Sequence, residues 1–529
     1  MATTAKEIIF DEEARRLLAK GIKTLADIVA FTLGPKGCNV GLEKSYGAPI
    51  ITNDGNSIVK DITLKNTFEN MGVSMAKEVV QQIKEKCGDG TTTATLLLNA
   101  MVEHGIKYIA AGASPISLKR GMDKAVEAVI KEIEKIAIPV KDSKEICNIA
   151  TVSASGNTEI GKIISDAIEK VGKLGVITIE EAKGTETTIE LVEGMQFDRG
   201  YLSSYFCTNQ ERLTVEMHNP QILIIDGKVS NIHELLPVLQ TVATTGKELL
   251  IIAEDIEGDA LSTLVINKLR GSLKVAAVKA PAFGDRRKAM LQDIAVLTGA
   301  TLISEDTGIT LKDAPIDALG SAEKVTITKE NTIIVNGKGS DTEIKARIKQ
   351  IENEVESVTS PYEKEKLVER KAKLSGGVAV IYVGASTEPE LKQKKQMFED
   401  SLNSTKAALE DGIVPGGGVA LIKAGNVISS LNLEGDELLG AKIVQLACDT
   451  PLRQIAHNAG FDGFVILHEV RSGKPNDGFN ALTEKVENLL DAGVVDPAKV
   501  VKYALTYASS VAGIVLISEA LIADAEDNE

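Results

Sequence analysis

Hydrophobic positions at helical spacing fill the first third of the chain. Between Asp11 and Val29 apolar side chains recur every three or four residues, and the pattern stops at Gly34-Pro35. A second such pattern runs from Met71 to Ile83, breaks at Gly88-Asp89-Gly90 and resumes from Thr91 to Ile109. This spacing is typical of amphipathic helices, and glycine and proline mark their ends. The sequence therefore predicts a helical N-terminal region interrupted by a glycine-rich loop.

The middle of the chain alternates short apolar runs with helical stretches. The apolar runs are Gln221–Ile225, Leu249–Ala253 and Val275–Val278, and the helical stretches between them are Ile232–Ala243 and Ala260–Leu269. This alternation predicts an α/β unit built on a parallel sheet.

A charged helical hairpin and a helical C-terminal region are predicted to follow. The hairpin runs from Asp341 to Leu374 and turns at Ser360-Pro361. A strand at Val378–Val383 then leads into helical segments that continue to the acidic end Asp524–Glu529. Helices at both chain ends with an α/β block between them predict a discontinuous helical domain that carries an insertion.

Length and composition narrow the class of protein. A chain of 529 residues is too long for one hydrophobic core, because single cores stop growing at roughly 250–300 residues, so two or three domains are expected. Its 43% hydrophobic and 25% charged residues match an ordinary globular protein. A net charge of −16 and the absence of Trp argue against nucleic acid and anionic membranes as partners. No apolar run approaches the ~18 residues of a membrane span.

The cysteines indicate a reducing compartment. The sequence has five, scattered and without a Cys-x-x-Cys pair, which disfavours both a disulfide framework and a metal site: Cys38, Cys87, Cys147, Cys207 and Cys448. We expect the protein in the cytoplasm, or in an organelle matrix after removal of a targeting segment.

The segment Gly88-Asp89-Gly90-Thr91-Thr92-Thr93 is the strongest candidate for chemistry. A Gly-x-Gly turn that opens a Thr-rich helix presents unpaired N–H groups and hydroxyls at the positive end of that helix, which suits phosphate. Asp89 within it suits a magnesium ion. A capped helix start without a ligand is an equally good interpretation of these residues alone. Neither a Walker A motif nor a Gly-x-Gly-x-x-Gly fingerprint occurs, which disfavours the common nucleotide folds.

Three further glycine-rich elements strengthen the nucleotide hypothesis. They are Thr32–Gly37, Thr52–Gly55 and Asp411–Gly418. Each alone predicts a turn. Together they suit a site that closes around one nucleotide.

With these elements the chain resembles the GroEL-type group I chaperonins from Ala5 to Ala523. The segments that carry the resemblance, in the order of the family, are Leu33–Gly37, Gly88–Thr95, Leu249–Gly258, Lys279–Lys288, Lys373–Ala379 and Gly416–Gly418. The resemblance implies a multidomain α and α/β fold. A mostly helical equatorial ATPase domain would comprise 1–135 and 412–529, a small α/β intermediate hinge domain 136–192 and 378–411, and an inserted α/β apical domain 193–377. Hinges are expected near Pro139, Gly194, Gly377 and Gly412.

The resemblance also implies the residues of an ATP site. Asp54 and Asp400 match the catalytic carboxylates that orient and activate water, and Asp400 would arrive as the intermediate domain closes. Asp89 matches the Mg²⁺ ligand, and Thr32, Asn53 and Thr92 match the K⁺ site. The other implied ATP contacts are Leu33, Gly34, Pro35, Gly90, Thr91, Thr93, Gly417, Asn480, Ala481 and Asp496. Phosphoryl transfer needs positioning, cations and a carboxylate near the water. Without the resemblance, Asp54 fits a turn residue and Asp400 a solvated helix-face acid.

Surfaces for clients and for neighbouring subunits are implied in the same way. The residues that match the apical surface for clients and co-chaperonin are Tyr201, Leu202, Ser203, Tyr205, Phe206, Leu236, Leu239, Ala243, Leu261, Val265 and Ile266. By spacing alone, each fits the core of an α/β domain. Arg199 and Glu388 match an intersubunit ion pair, and Arg453 and Asp462 match ring-to-ring contacts, although all four also fit ordinary surface charge.

The function implied is that of an ATP-hydrolysing chaperonin, an enzyme of the isomerase class. Its expected partners are copies of itself in a heptameric ring, stacked as a double ring, a GroES-type co-chaperonin and non-native polypeptides. The chain departs from the family pattern at Asn56, Gln81–Cys87, Gln240, Asp259 and Phe461, and it ends on acidic residues in place of a Gly-Gly-Met-rich tail. These changes favour a divergent paralogue, so a client-holding or scaffold protein with weak ATPase is the alternative. A monomeric ATP-dependent metabolic enzyme is a third hypothesis.

Overall fold

The computed structural model describes residues 5–43, 49–154, 156–172, 175–182, 184–210, 212–304, 311–313, 316–358, 360–375 and 377–524. The chain forms two compact units: residues 1–166 with 392–529, and residues 167–391. The first unit is therefore built from both chain ends. Gly376 and the acidic residues 525–529 lie outside the described residues.

Helices dominate the first unit and alternate with strands in the second. Their bounds are α1 Asp11–Ala30, α2 Gly55–Asp61, α3 Thr67–Cys87, α4 Thr91–Ala110, α5 Pro115–Ile136, α6 Ser143–Ser153, α7 Thr158–Val171, α8 Leu236–Thr245, α9 Gly258–Leu269, α10 Gly284–Thr298, α11 Asp341–Ser357, α12 Pro361–Ser375, α13 Glu388–Asp411, α14 Val419–Gly425, α15 Gly435–Cys448, α16 Thr450–Asn458, α17 Gly463–Ser472 and α18 Ala498–Ile517. The strands are β1 Lys6–Phe10, β2 Val40–Leu42, β3 Ile50–Thr52, β4 Val176–Glu181, β5 Thr188–Val192, β6 Gly194–Phe197, β7 Val215–His218, β8 Gln221–Val229, β9 Leu249–Ile256, β10 Val275–Lys279, β11 Gly320–Ile327, β12 Thr332–Gly337, β13 Val378–Val383, β14 Ile413–Pro415, β15 Asp477–Asn480, β16 Lys485–Asn488, β17 Val495–Pro497 and β18 Ala520–Asp524.

Two pairs of closely packed helices organise the first unit. A Cβ atom at Gly21 of α1 would lie 1.9 Å from a carbonyl oxygen of α3, and one at Gly72 of α3 would lie 2.1 Å from a carbonyl oxygen of α1. Gly121 of α5 and Gly440 of α15 face each other's helix in the same way, at 1.9 and 2.1 Å. Larger side chains at these four positions would force the helix backbones apart.

Helix α18 crosses the core of the first unit. By length and composition it is apolar enough to span a membrane, but more than half of it is buried. Its side chains, including Leu505 and Val515, belong to the same core cluster as α1, α3, α4 and α5. A helix that packs against neighbours on several sides needs apolar side chains on most of its faces, so packing in the core explains why α18 is so apolar.

The chain ends of the first unit meet in a two-stranded sheet. Strand β1 pairs antiparallel with β18, in a register that sets Lys6 opposite Asp524, and those two side chains form an ion pair. The C-terminal region was predicted to be helical, and this prediction is incomplete because β14 to β18 interrupt the helices. Strands of three to five residues are too short to show a period of two in the sequence.

A mixed sheet forms the second unit. Its order is β10-β9-β8-β11-β12-β6, with β7 also paired to β11. Strands β8, β9 and β10 are parallel, which confirms the predicted α/β arrangement, while β11, β12 and β6 add antiparallel pairs. A second, three-stranded sheet has the order β4-β13-β5.

The predicted helical hairpin, α11 and α12, is anchored by a buried acid. Asp293 of α10 is fully buried. Its Oδ1 accepts a hydrogen bond from Nε of Arg347 on α11 at 2.7 Å, and Arg370 on α12 also forms an ion pair with it. Because a buried carboxylate without a cation is strongly unfavourable, this triad fixes how the hairpin packs on α10.

Candidate functional site

The loop between α3 and α4 is shaped by two glycines with left-handed backbone. Gly88 ends α3 at φ 75°, and Gly90 precedes α4 at φ 88°. Between them, the Asp89 carboxylate accepts hydrogen bonds from the Gly90 N–H at 2.6 Å and from the Ser153 hydroxyl at 2.8 Å. Helix α4 starts at Thr91, so its first N–H groups have no partner within the helix. This start of a 20-residue helix suits an anion.

Asp54 and Gly55 bring a second segment against this loop. The Asp54 carboxylate caps α2 by accepting hydrogen bonds from Asn56 N–H and from both the N–H and the hydroxyl of Ser57. A Cβ atom at residue 55 would lie 2.5 Å from Thr92 Oγ1 and 3.0 Å from Thr91 Oγ1. Only glycine permits this approach, which sets the Asp54 turn beside the threonine hydroxyls.

Asp400 lies in the same compact unit, held from two sides. Lys84 of α3 forms an ion pair with its Oδ1, and Gln396, one turn earlier on α13, donates a hydrogen bond to the same oxygen at 2.8 Å. Burial raises the pKa of Asp400 to about 7; the positive charge of Lys84 lowers it and the negative charge of Asp54 raises it. The two predicted catalytic carboxylates are therefore electrostatically coupled.

Asp496 supplies a third carboxylate near the loop. It lies in β17, opposite Val414 of β14, and a Cβ atom at Gly416 would lie 3.1 Å from its Oδ1. Burial and then the negative charge of Asp89 raise the pKa of Asp496 to about 7. A buried acid beside a second acid forms a place where a cation is favourable.

The remaining glycine-rich elements are linked to these segments. A Cβ atom at Gly417 would lie 3.7 Å from the carbonyl oxygen of Phe479, which directly precedes the predicted ATP contacts Asn480 and Ala481. Both of those are buried, and Asn480 donates a hydrogen bond to Glu487 at 2.7 Å. Glu484, in the turn that follows Ala481, forms an ion pair with Lys36 at 3.0 Å, and this contact connects that turn to the Thr32–Gly37 loop.

The loop that contains Leu33, Gly34 and Pro35 is held at its base. Asn458 of α16 donates hydrogen bonds to the carbonyl oxygens of Ala30 and Leu33 at 2.8 and 2.9 Å. The buried Thr32 hydroxyl donates to Val29 O at 2.8 Å, which leaves its lone pairs for a cation. The turn after Asn53 lies beside Thr92, because a Cβ atom at Gly55 would lie 2.5 Å from Thr92 Oγ1.

The carboxylate set fits a magnesium ion that is bound together with a phosphate. Within the described residues there is no cluster of three or more His, Cys, Asp or Glu that could hold a metal. Magnesium, however, is usually held by one or two carboxylates together with substrate phosphates and water. Asp89, with Asp496 nearby, matches that pattern.

Several residues that hold this arrangement escaped the sequence reasoning. They are Lys84, Ser153, Gln396, Asn458 and Glu484. Lys84 carried a signal, because it lies in the Gln81–Cys87 run that departs from the family and one helical turn before Gly88. The others belong to distant helices and turns, and their contacts arise only on folding.

The residues predicted to bind clients differ in how exposed their side chains are. Tyr205, Leu236, Ala243 and Ile266 are exposed, with 60% of Tyr205 and 47% of Ile266 accessible. Tyr201, Leu202, Ser203, Leu261 and Val265 are partly buried. Phe206 and Leu239 are core residues, so they offer no surface in this conformation. Their burial has a simple cause: a tight turn at Ser204–Phe206 and the inner face of α8 direct these two side chains into the core.

The predicted intersubunit residues have local roles within the chain. The Arg199 guanidinium lies 5.2 Å from the ring centroid of Phe283. Arg453 stacks on Phe464 at 3.7 Å, and Asp462 caps α17 by accepting hydrogen bonds from the N–H groups of Phe464 and Val465. Glu388 begins α13.

Comparison with known proteins gives two matches over nearly the whole chain. Residues 25–526 match the family model described as the TCP-1/cpn60 chaperonin family. The chain is 70% identical to Chaperonin GroEL 3 of Protochlamydia amoebophila (strain UWE25) over 524 residues, which cover 99% of this chain and 98% of that protein.

Proposed function

Because the chain belongs to the TCP-1/cpn60 chaperonin family, we propose that it is an ATP-hydrolysing subunit that binds non-native polypeptides and promotes their folding in a ring cavity closed by a co-chaperonin. The proposed ring is heptameric and stacks as a double ring in the cytoplasm. The proposed domains are the equatorial, intermediate and apical domains at the boundaries given above.

One observation carries the ATPase proposal: the Gly88–Thr93 loop lies in one unit with two coupled carboxylates, Asp54 and Asp400. The free N–H groups and hydroxyls at the start of α4 would bind the phosphates, and the loops at residues 32–37, 416–418 and 480–481 would enclose the rest of the nucleotide. Asp89 would hold magnesium, while Thr32, Asn53 and Thr92 would hold potassium. These cations, when bound, would neutralise charge on the phosphates.

The protein's own groups would then direct the attacking water. Asp400 would accept its proton, and a pKa near 7 is suited to a general base at neutral pH. Asp54, held by its three hydrogen bonds at the start of α2, would keep the water oriented. The resemblance implies that Asp400 arrives by domain closure, whereas here Asp400 is already coupled to Asp54.

The exposed apolar residues of the second unit support client binding. Tyr205, Leu236 and Ile266 present large apolar side chains to solvent, and Ala243 adds a smaller one. Such a surface binds unfolded chains by burial rather than by reading a sequence. The partly buried neighbours on α9 and in the Tyr201–Ser203 segment would border this surface, and the same surface would accept the co-chaperonin.

The test combines ATP hydrolysis with client refolding. We expect hydrolysis that needs magnesium, is stimulated by potassium and is lost in Asp400→Ala, together with ATP-dependent refolding of an aggregation-prone client when a co-chaperonin is added. Capture of the client with no ATP turnover would favour the client-holding alternative. A monomer by electron microscopy that neither captures nor refolds clients would contradict the proposal.

A further inference from the structure

Lys84 connects the candidate base to the phosphate loop. Its side chain forms the ion pair with Asp400, and its backbone carbonyl accepts the hydrogen bond from the Gly88 N–H at 2.9 Å that ends α3. One residue therefore contacts both Asp400 and the first glycine of the loop. Lys84, four residues before Gly88, thus pairs with the carboxylate of Asp400, which is 316 residues away in sequence.

We propose that Lys84 is a positioning residue for ATP hydrolysis, which fixes the Asp400 carboxylate against the end of α3 and favours its ionised form. This inference rests on the proposed ATPase function.

The surroundings of Asp400 explain why a cation is needed there. Its side chain is 18% exposed and that of Lys84 is 21% exposed, so water screens the pair only in part. The charged groups that act on Asp400 are Lys84 from α3 and Asp54 from the start of α2. Without Lys84, Asp400 would face the negative charge of Asp54 with only the neutral Gln396 as a hydrogen-bond donor, and protonation would be favoured.

The carboxyl group can be titrated directly in the nucleotide-free protein. A protonated carboxyl gives an infrared C=O stretching band, and the band of Asp400 is the one that disappears in Asp400→Asn. In Lys84→Met we expect the midpoint of this band to move upward by about one to three pH units, the range for loss of a nearby opposite charge. Lys84→Arg keeps the charge and is expected to stay within about half a unit of the wild type. Lys86→Met, an exposed lysine of the same helical turn, is the matched control and is expected to leave the midpoint unchanged.

ATP hydrolysis gives the second measurement. At pH 7 we expect Lys84→Met to lose about fivefold or more of the wild-type rate and to recover it at higher pH, because a shift of one unit or more leaves a tenth or less of Asp400 ionised. An unshifted infrared midpoint in a folded Lys84→Met protein would overturn the proposal. So would wild-type activity of Lys84→Met across the pH range.

Different results would refute the ATPase function and the role of Lys84. If the protein has no ATPase at all, the infrared titration still tests the pairing of Lys84 with Asp400, and only the catalytic consequence is lost. If Asp400→Ala abolishes hydrolysis while Lys84→Met has a wild-type pH profile, the ATPase function stands and the role of Lys84 is refuted.

Discussion

Gly55→Ala tests whether the Asp54 turn and the start of α4 form one site. The added Cβ atom would lie 2.5 Å from Thr92 Oγ1, closer than any normal contact, so either the hydroxyl rotates away or the two segments separate. Gly55 does not have a positive φ, so alanine is not excluded by backbone conformation. Alanine also favours a helix over glycine by roughly 0.5–1 kcal/mol, so the fold is expected to survive.

The size of the effect follows from what the hydroxyl would do. If Thr92 binds a charged phosphate or its counter-ion, the misplaced hydroxyl forfeits a hydrogen bond to a charged group, about 1.5–3 kcal/mol. That corresponds to a loss of about 10- to 150-fold in kcat/KM for ATP hydrolysis. The assay is steady-state ATPase with a thermal melt in parallel.

A matched glycine provides the control. Gly227 in β8 has no atom within 4 Å of an added Cβ and no positive φ, so Gly227→Ala is expected to retain wild-type hydrolysis. Wild-type kcat/KM in Gly55→Ala would refute the reasoning that these two segments act together on the nucleotide. If Gly55→Ala does not fold, the close approach of Gly55 to Thr92 is needed for the fold, and the expectation that it affects only the site is refuted.

Three further expectations concern the acids and the client surface. Asp293→Ala removes the buried carboxylate that pairs with Arg347 and Arg370, leaves Arg370 only its longer ion pair with Glu354, and should lower the free energy of unfolding by about 3–5 kcal/mol in denaturant titrations; a loss below 1 kcal/mol would contradict this. Since burial raises the folded-state pKa of Asp400 from 3.8 to about 7, hydrolysis should fall as the pH drops through about 7. The same shift costs the folded state stability as the pH rises from about 4 to 7, so Asp400→Asn should melt above wild type at pH 8. Tyr205→Ser should weaken capture of an unfolded client without changing the melt, whereas Phe206→Ala should destabilise the fold by about 3–5 kcal/mol; equal effects of these two changes would be inconsistent with their different burial.

The glycine-rich segments show how far the sequence reaches. Gly88-Asp89-Gly90 before a threonine run predicts a turn and a helix start by local chemistry alone, and the structure has that start at Thr91. The apolar periods likewise predict α1, α3 and α4 closely, because each helix must bury one face. The parallel order of β8, β9 and β10 follows from their alternation with helices.

Long-range contacts lie beyond that reach. Spacing along the chain does not reveal that Lys84 pairs with Asp400, or that Ser153 donates to Asp89, because both contacts join segments that are distant in sequence. The same holds for exposure: Tyr205 and Phe206 are adjacent aromatic residues, yet one is 60% exposed and the other is fully buried. A tight turn decides which ring faces the core.

By itself the sequence determined the helical and α/β regions, the glycine-rich turn before α4 and, through its resemblance, the chaperonin family. The tertiary structure alone decided which acids are coupled, which lysine holds Asp400 and which apolar side chains remain on the surface. The physical reason is that periodicity and turn chemistry act over a few residues, whereas burial and charge pairing depend on groups that only folding brings together.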